Sequence, residues 1–311
     1  MKSGTITLKA RDGAEIFVYT WKPDDEKDVK AVIQIAHGMA EHAARYERFA
    51  NALVDEGFAV YADDHRGHGK TAGSLDRAGF FADEDGWQKV VDDLAMITDH
   101  MEKEYPKAPV FFFGHSMGSM LGRTYLLQHG KRLSGAILSG TMGDPGLLGK
   151  LGVLVAKREC KKKGRNTPSE LLAKLSFGKF NNAFKPARTE FDWLSRDEAE
   201  VDKYVDDPYC GFVFSAGGFL DMLTAMPLLF KPEGVARMPK TLPIYLFSGE
   251  KDPVGNNGKG VREVYNLYKK AGIEDVSIKL YENGRHEMLN ETNRKEVFSD
   301  VIGWLNAHMP K

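Results

Sequence analysis

The sequence predicts an α/β protein: a mostly parallel central sheet with helices on both faces and an inserted helical cap. Three observations lead there. Short apolar runs alternate with segments whose apolar residues recur at helical spacing. Several runs, such as VFFF and, apart from Gln34, AVIQIA, are apolar, as in strands covered on both faces. From about 141 to 235 the alternation stops, and helical stretches joined by Pro- and Asp-rich links take over. The expected organisation is a core formed by 1–140 and 236–311, with 141–235 as a cap lying over the strand ends.

The elements follow in order. TITLKA and EIFVYTW, joined by RDG, read as a β-hairpin. AVIQIAHG (31–38) is a strand, and RYERFANALVDEG a helix with Phe49, Leu53 and Val54 on one face and Gly57 as its stop. FAVYADD is the next strand, and WQKVVDDLAMITDHMEKEY places Val90, Val91, Leu94, Ile97 and Met101 on one helical face. VFFF (110–113), the helix MGSMLGRTYLLQHG and GAILSG (135–140) continue the series. Within the interruption, LLGKLGVLVAKRECKKKGR, SELLAKLSFGKFNNAF and SAGGFLDMLTAMPLLF look helical. PIYLFSG (243–249), VREVYNLYKKAG, VSIKLYEN and a helix through Val297, Val301, Trp304 and Leu305 complete the core.

Composition narrows the function. Lys and Arg total 43 against 44 Asp and Glu, so the basic excess of a nucleic-acid binder is missing. No stretch reaches the ~18 apolar residues of a membrane span, and MKSGTITLKARDG has no apolar signal core, so a cytoplasmic location is expected. Cys160 and Cys210 lack CxxC spacing and are expected as free thiols.

In open parallel sheets, ligands bind outside the carboxyl ends of the strands. The segments that follow the strands are therefore HGMAEH, DDHRGHGKT, GHSMG, EKDPVG and NGRHEM. GHSMG matches Gly-x-Ser-x-Gly between a strand and a helix, the pattern of a nucleophile elbow, with Gly114 and Gly118 sparing the turn from crowding. A serine nucleophile needs a base that is itself oriented by an acid. On such a sheet the order along the chain is Ser, then Asp or Glu, then His. After Ser116 only His129, His286 and His308 remain. His129 ends the helix of the elbow and His308 lies near a frayed chain end, which leaves His286 as the base. Asp252 is the expected acid, and Glu250 in the same loop is the competing carboxylate. The backbone N–H groups of Met117 and Met39 are the expected oxyanion donors.

Taken together, HGMAEHAARY, DDHRGHGKTAG, GHSMG, EKDPV and GRHEML resemble the monoacylglycerol lipase and lysophospholipase branch of the α/β-hydrolases, grouped with serine aminopeptidase S33-like domains. The resemblance runs from about residue 10 to 308 and reaches the cap through SFGKFN, FDWLSRD and DPYCGF. It implies the same triad of Ser116, Asp252 and His286, the same donors Met39 and Met117, and a single-chain acyl ester as substrate, with no metal and no cofactor. Met39 departs from the small residue of the HGAGEH that this branch often carries. Its backbone serves equally, but its side chain is expected to narrow the pocket.

Other features of the sequence have competing readings. Gly69-Lys70-Thr71 mimics the end of a phosphate loop, but position 64 is Asp rather than Gly, next to Asp63. DDHRGH is read as a hydrogen-bonded turn beside the catalytic loop in preference to a metal site. KRECKKKGR is either a solvated helix end or a basic face meeting anionic membrane surfaces. Met39, Met117, Met142, Met222, Met226 and Met288 either line a compliant pocket or belong to the core. Aminopeptidase or amidase chemistry, acyl transfer, and a ligand-binding protein on a hydrolase scaffold remain the alternative functions.

Overall fold

The computed structural model describes residues 1–25 and 29–310. β1 (Lys2–Lys9) and β2 (Glu15–Lys22) form the expected hairpin, with Lys9 opposite Glu15. β3 (Ala31–Ala36), α1 (Glu47–Asp55), β4 (Phe58–Asp63), the short α2 (Gly69–Ala72) and α3 (Gly86–Glu104) follow. β5 (Val110–His115), α4 (Met117–His129) and β6 (Gly135–Ser139) close the first half of the core. Between β6 and β7 the chain inserts α5 (Gly146–Lys163), α6 (Glu170–Phe177), α7 (Glu198–Asp206), α8 (Ala216–Ala225) and α9 (Pro232–Val235). β7 (Ile244–Gly249), α10 (Lys259–Lys270), β8 (Val276–Tyr281) and α11 (Arg294–Ala307) complete it.

The eight strands form one sheet in the order β1-β2-β4-β3-β5-β6-β7-β8, parallel from β4 through β8 and antiparallel at β1 and β2. Successive strand residues point to opposite faces, and the two faces are packed separately. Phe112, Val32, Leu138 and Leu246 meet the apolar sides of α3, α4 and α10. Phe111, Phe113, Ile33, Ile35 and Phe247 meet those of α1 and α11. Apolar burial on both faces is the main force holding this sheet.

Two differences from the sequence reading have physical causes. α7 was not expected, because EAEVDKYVD is mostly charged and buries only Glu200, Val201 and Tyr204. His308 is not frayed: Nδ1 meets Trp304 C=O at 2.7 Å, Nε2 meets Asp275 at 2.9 Å, and the ring stacks on Trp304.

Arg123 on α4 is almost fully buried and reaches both ends of the insertion. It donates to Met142 C=O at 3.0 Å, just after β6, and to Leu229 C=O at 3.4 Å, and it sits 4.4 Å from the centre of the Phe230 ring.

The packing of α4 rests on glycine. A Cβ at Gly118 would lie 2.1 Å from Ala36 C=O oxygen and 2.5 Å from that of His37, both backbone atoms in the β3 loop. Gly118→Ala is therefore expected to cost about 3 kcal/mol, at the upper end of overpacking effects. Urea denaturation measures this, and an unchanged midpoint would contradict the close approach.

Candidate active site

Because β3, β5, β7 and β8 run parallel, the loops after them emerge at one edge of the sheet. Ser116 sits where β5 turns into α4. Its backbone is left-handed, with φ 51° and ψ −118°, a conformation that costs a non-glycine residue roughly 1–3 kcal/mol. Backbone bonds hold it there: Ser116 N–H donates to Ser139 C=O at 2.9 Å, and Ser116 C=O accepts from Ser119 N–H at 2.9 Å and Ser119 Oγ at 2.6 Å. The Met117 N–H opens the helix, where the first amides have no partner within the helix and the dipole favours negative charge.

Asp252, fully buried after β7, and His286, after β8, are joined by a 2.9 Å bond between Asp252 Oδ2 and His286 Nδ1. Asp252 also accepts from Ser248 Oγ at 2.7 Å and Val254 N–H at 2.9 Å. Burial alone would raise the Asp252 pKa, but His286 and these donors lower it below the usual carboxylate range. Burial likewise opposes the charged form of His286, and the Asp252 carboxylate outweighs it, so the His286 pKa lies above its ordinary value. Glu250, the competing acid, is exposed.

The loop after β3 closes the site from the other side. A Cβ on Gly38 would stand 3.3 Å from Ser116 Cβ and 3.3 Å from His115 Cδ2. His115 in turn packs on His286, ring centres 4.7 Å apart. Ser116 and His286 are thus bridged by shared neighbours. Among the described residues the Ser116 hydroxyl makes no hydrogen bond to the imidazole, a contact that commonly tightens only in the substrate complex.

DDHRGH proves to be the scaffold of that loop. His37 accepts at Nε2 from His65 N–H at 3.0 Å, so its proton lies on Nδ1, which donates to Gly38 C=O at 2.7 Å. His68 donates from Nδ1 to Arg66 C=O and accepts at Nε2 from Ala40 N–H at 3.3 Å. Burial, with His65 nearby, lowers both pKa values, that of His68 to about 3, so both rings stay neutral. His65 faces acceptors on both nitrogens, Asp63 at 2.7 Å and His37 C=O at 3.2 Å; against the pull of burial, Asp63 raises its pKa. Asp64 accepts from Ala43 and Lys70 N–H groups, which uses up the carboxylate that a metal reading would need.

Several participants escaped the sequence reading. Glu41 accepts from Gly38 N–H at 2.6 Å, Tyr46 Oη at 2.9 Å and Arg45 at 2.5 Å, and Arg45 forms a two-pronged pair with Glu287 at 2.8 and 2.7 Å. Burial would raise the Glu287 pKa, yet Arg45 holds it at about 2. The insertion contributes too. His286 N–H donates to Trp193 C=O at 3.3 Å, Glu287 N–H donates to Leu194 C=O at 2.8 Å, and the Trp193 ring lies 5.2 Å from that of His286. The only hint in the sequence was the polar density of HGMAEHAARY and the Trp in FDWLSRD. Of the six methionines, Met117, Met222, Met226 and Met288 are buried in the core, and Met39 and Met142 pack partly buried against it.

A metal is poorly served. His42, Asp207 and Cys210 bring ligand atoms within 4.8 Å of one another, but His42 Nε2 already pairs with Asp207 at 2.8 Å. Burial pushes the Cys210 thiol pKa well up, against the thiolate that a metal requires. Both cysteines are free.

A left-handed serine at the start of α4 and an imidazole held by a buried carboxylate thus occupy loops at one edge of the sheet. Known proteins resemble this chain. Residues 27–293 match the family described as serine aminopeptidase, S33. The human monoglyceride lipase is 30% identical over 95% of this chain and 88% of its own. A monoacylglycerol lipase of Mycolicibacterium smegmatis is 28% identical over 96% of this chain and 95% of its own. The crystal structure of a thermostable carboxyl esterase from Bacillus coagulans, in complex with glycerol, superposes with a TM-score of 0.91 over the whole of both chains at 29% identity. Fold, site geometry and relatives converge: this chain belongs to the serine aminopeptidase S33 family of α/β-hydrolases.

Proposed function

We propose that the protein is a serine ester hydrolase acting on single-chain acyl esters, monoacylglycerols or lysophospholipids, with Ser116, His286 and Asp252 as the catalytic triad. Ser116 Oγ attacks the ester carbonyl carbon while His286 Nε2 takes its proton. The carbonyl oxygen becomes an oxyanion held by the N–H groups of Met39 and Met117. The C–O bond to the alcohol breaks, His286 protonates the departing oxygen, and an acyl-serine remains. Water, deprotonated by His286, repeats the sequence and releases the acid. Asp252 keeps the imidazole proton on Nδ1 and stabilises the cation.

The observation that carries this reading is the buried Asp252–His286 bond at the sheet edge where Ser116 takes its left-handed turn. The names of the relatives support the substrate class: monoglyceride lipases, and a probable lysophospholipase of Haemophilus influenzae at 23% identity. We take residues 141–235 as a cap that covers this edge.

The cap also suggests how lipid arrives. Leu147, Leu148, Leu151 and Leu154 lie on one face of α5, the first two 76% and 80% exposed, and lysines crowd its last turn. None of the described helices is long and apolar enough to cross a membrane. We place the protein in the cytoplasm, meeting lipid surfaces transiently through this helix.

Ser116→Ala is expected to remove hydrolysis of p-nitrophenyl esters and monoacylglycerols by ~10⁴-fold or more. Ester turnover by this variant at the wild-type rate would overturn the mechanism. A panel of graded acyl chains, monoacylglycerols and aminoacyl amides reads the substrate class from the wild type.

The base must be neutral to act, and the His286 pKa is raised, so kcat/KM should climb with pH through a value above that of an ordinary histidine. Asp252→Asn should move that limb to lower pH and reduce kcat by ~10⁴-fold. A pH–rate profile measures both.

Leu148→Asp with Leu151→Asp should cut hydrolysis of vesicle-borne monoacylglycerol about tenfold and leave a soluble short-chain ester untouched. Vesicle co-sedimentation provides the parallel binding measurement.

A further inference from the structure

The proposed oxyanion donor Met39 sits in a loop whose next residue, Ala40, is left-handed with φ 53°. A non-glycine residue holds such a conformation only where its surroundings impose it. Three successive peptide planes are fixed here by side chains. His37 Nδ1 donates to Gly38 C=O at 2.7 Å, which sets the plane carrying the Met39 N–H. His68 Nε2 accepts from Ala40 N–H at 3.3 Å and sets the next plane. Both histidines belong to the core.

The third plane is held from the insertion. Ala40 C=O accepts from Tyr204 Oη at 2.8 Å and from Gly211 N–H at 2.9 Å. Tyr204 lies on α7 and is 5% exposed. Its ring is locked between the Arg45 guanidinium, 4.8 Å from the ring centre, and Phe191, whose ring centre is 5.0 Å away. The hydroxyl therefore has one place to point.

We propose that Tyr204 is a positioning residue for the oxyanion hole: its hydroxyl holds Ala40 in the left-handed conformation that aims the Met39 N–H. This rests on the ester-hydrolase reading of the site. It makes the insertion part of the catalytic assembly, since withdrawing α7 would release the loop. A donor whose direction relaxes costs transition-state binding and leaves ground-state binding nearly unchanged.

Tyr204→Phe isolates the claim, because the ring, its contacts with Arg45 and Phe191, and the Gly211 bond all remain. Expected is a fall in kcat of about tenfold with KM within about twofold, a fraction of the loss seen when a whole oxyanion donor is removed. Affinity for an alkylboronic acid, which forms a tetrahedral adduct on the serine, should fall by the same factor. Arg188→Ala, which frees α7 from its exposed Asp202 pair at 2.5 Å, should change neither quantity. Ala40→Gly provides a second handle, because glycine enters the left-handed region without strain. In that background the Tyr204→Phe loss should shrink, and the double variant keeps the test open should the single one fold poorly.

Wild-type kcat and boronate affinity in Tyr204→Phe would overturn the proposal. So would an equal loss in Arg188→Ala, or an undiminished loss in the Ala40→Gly background. Failure of the ester-hydrolase reading is separately visible, as boronate binding and ester turnover that survive Ser116→Ala.

Discussion

The structure depends on how closely α4 is allowed to approach the sheet. The first turn of this helix lies against the carbonyls of Ala36 and His37, a distance that excludes any side chain at position 118. A Cβ on Gly114 would likewise stand 2.5 Å from Gly118 C=O oxygen. These two glycines let the chain reverse from β5 into α4 within a single residue, and Ser116 absorbs the strain. The same approach brings the N-terminus of α4 beside the loop after β3. The turn at Ser116 follows from a steric fact about glycine before it follows from any property of serine.

Charge is arranged around that point in a consistent way. The two histidines that brace the Gly38–Ala40 loop are kept neutral by burial, and each uses one nitrogen as donor and the other as acceptor. His286 and His65, each bonded to a buried carboxylate, have their pKa values raised instead. Arg45 lies between Glu41 and Glu287, which leaves the flanks of His286 with a paired charge and not a loose one. Buried pairs of this kind stabilise little in net terms, but removing one partner would strand the other.

Much of the core was legible in the sequence. Strands on a buried parallel sheet declare themselves by largely apolar runs, and the loops after them are where residues for chemistry are sought in a fixed chain order. Ser116, Asp252 and His286 were expected from that order and from their places after strands, with Glu250 as the competing acid, and the structure joins Asp252 and His286 directly. What could not be read depends on contacts between remote segments. Trp193 meets His286 and Tyr204 meets Ala40 across about 90 and 160 residues, and no local pattern encodes such pairings. α7 was overlooked because its buried stripe is only three residues wide in a charged stretch. His308 was misjudged for a similar reason: its anchor, Asp275, lies 33 residues earlier.

Arg123 has a consequence for how such a chain can change over time. Its guanidinium touches carbonyls where the insertion departs, at Met142, and near where it returns, at Leu229. The sheet therefore meets the insertion as a closed loop with neighbouring ends, whatever lies between them. Closing a loop twice as long costs only about 0.6 kcal/mol more. Segments of the insertion other than those carrying Trp193, Leu194, Tyr204 and Gly211 can be lengthened, shortened or replaced with little penalty to the folding of the eight strands. Such changes alter what surrounds this edge of the sheet while the sheet and the turn at Ser116 stay as they are.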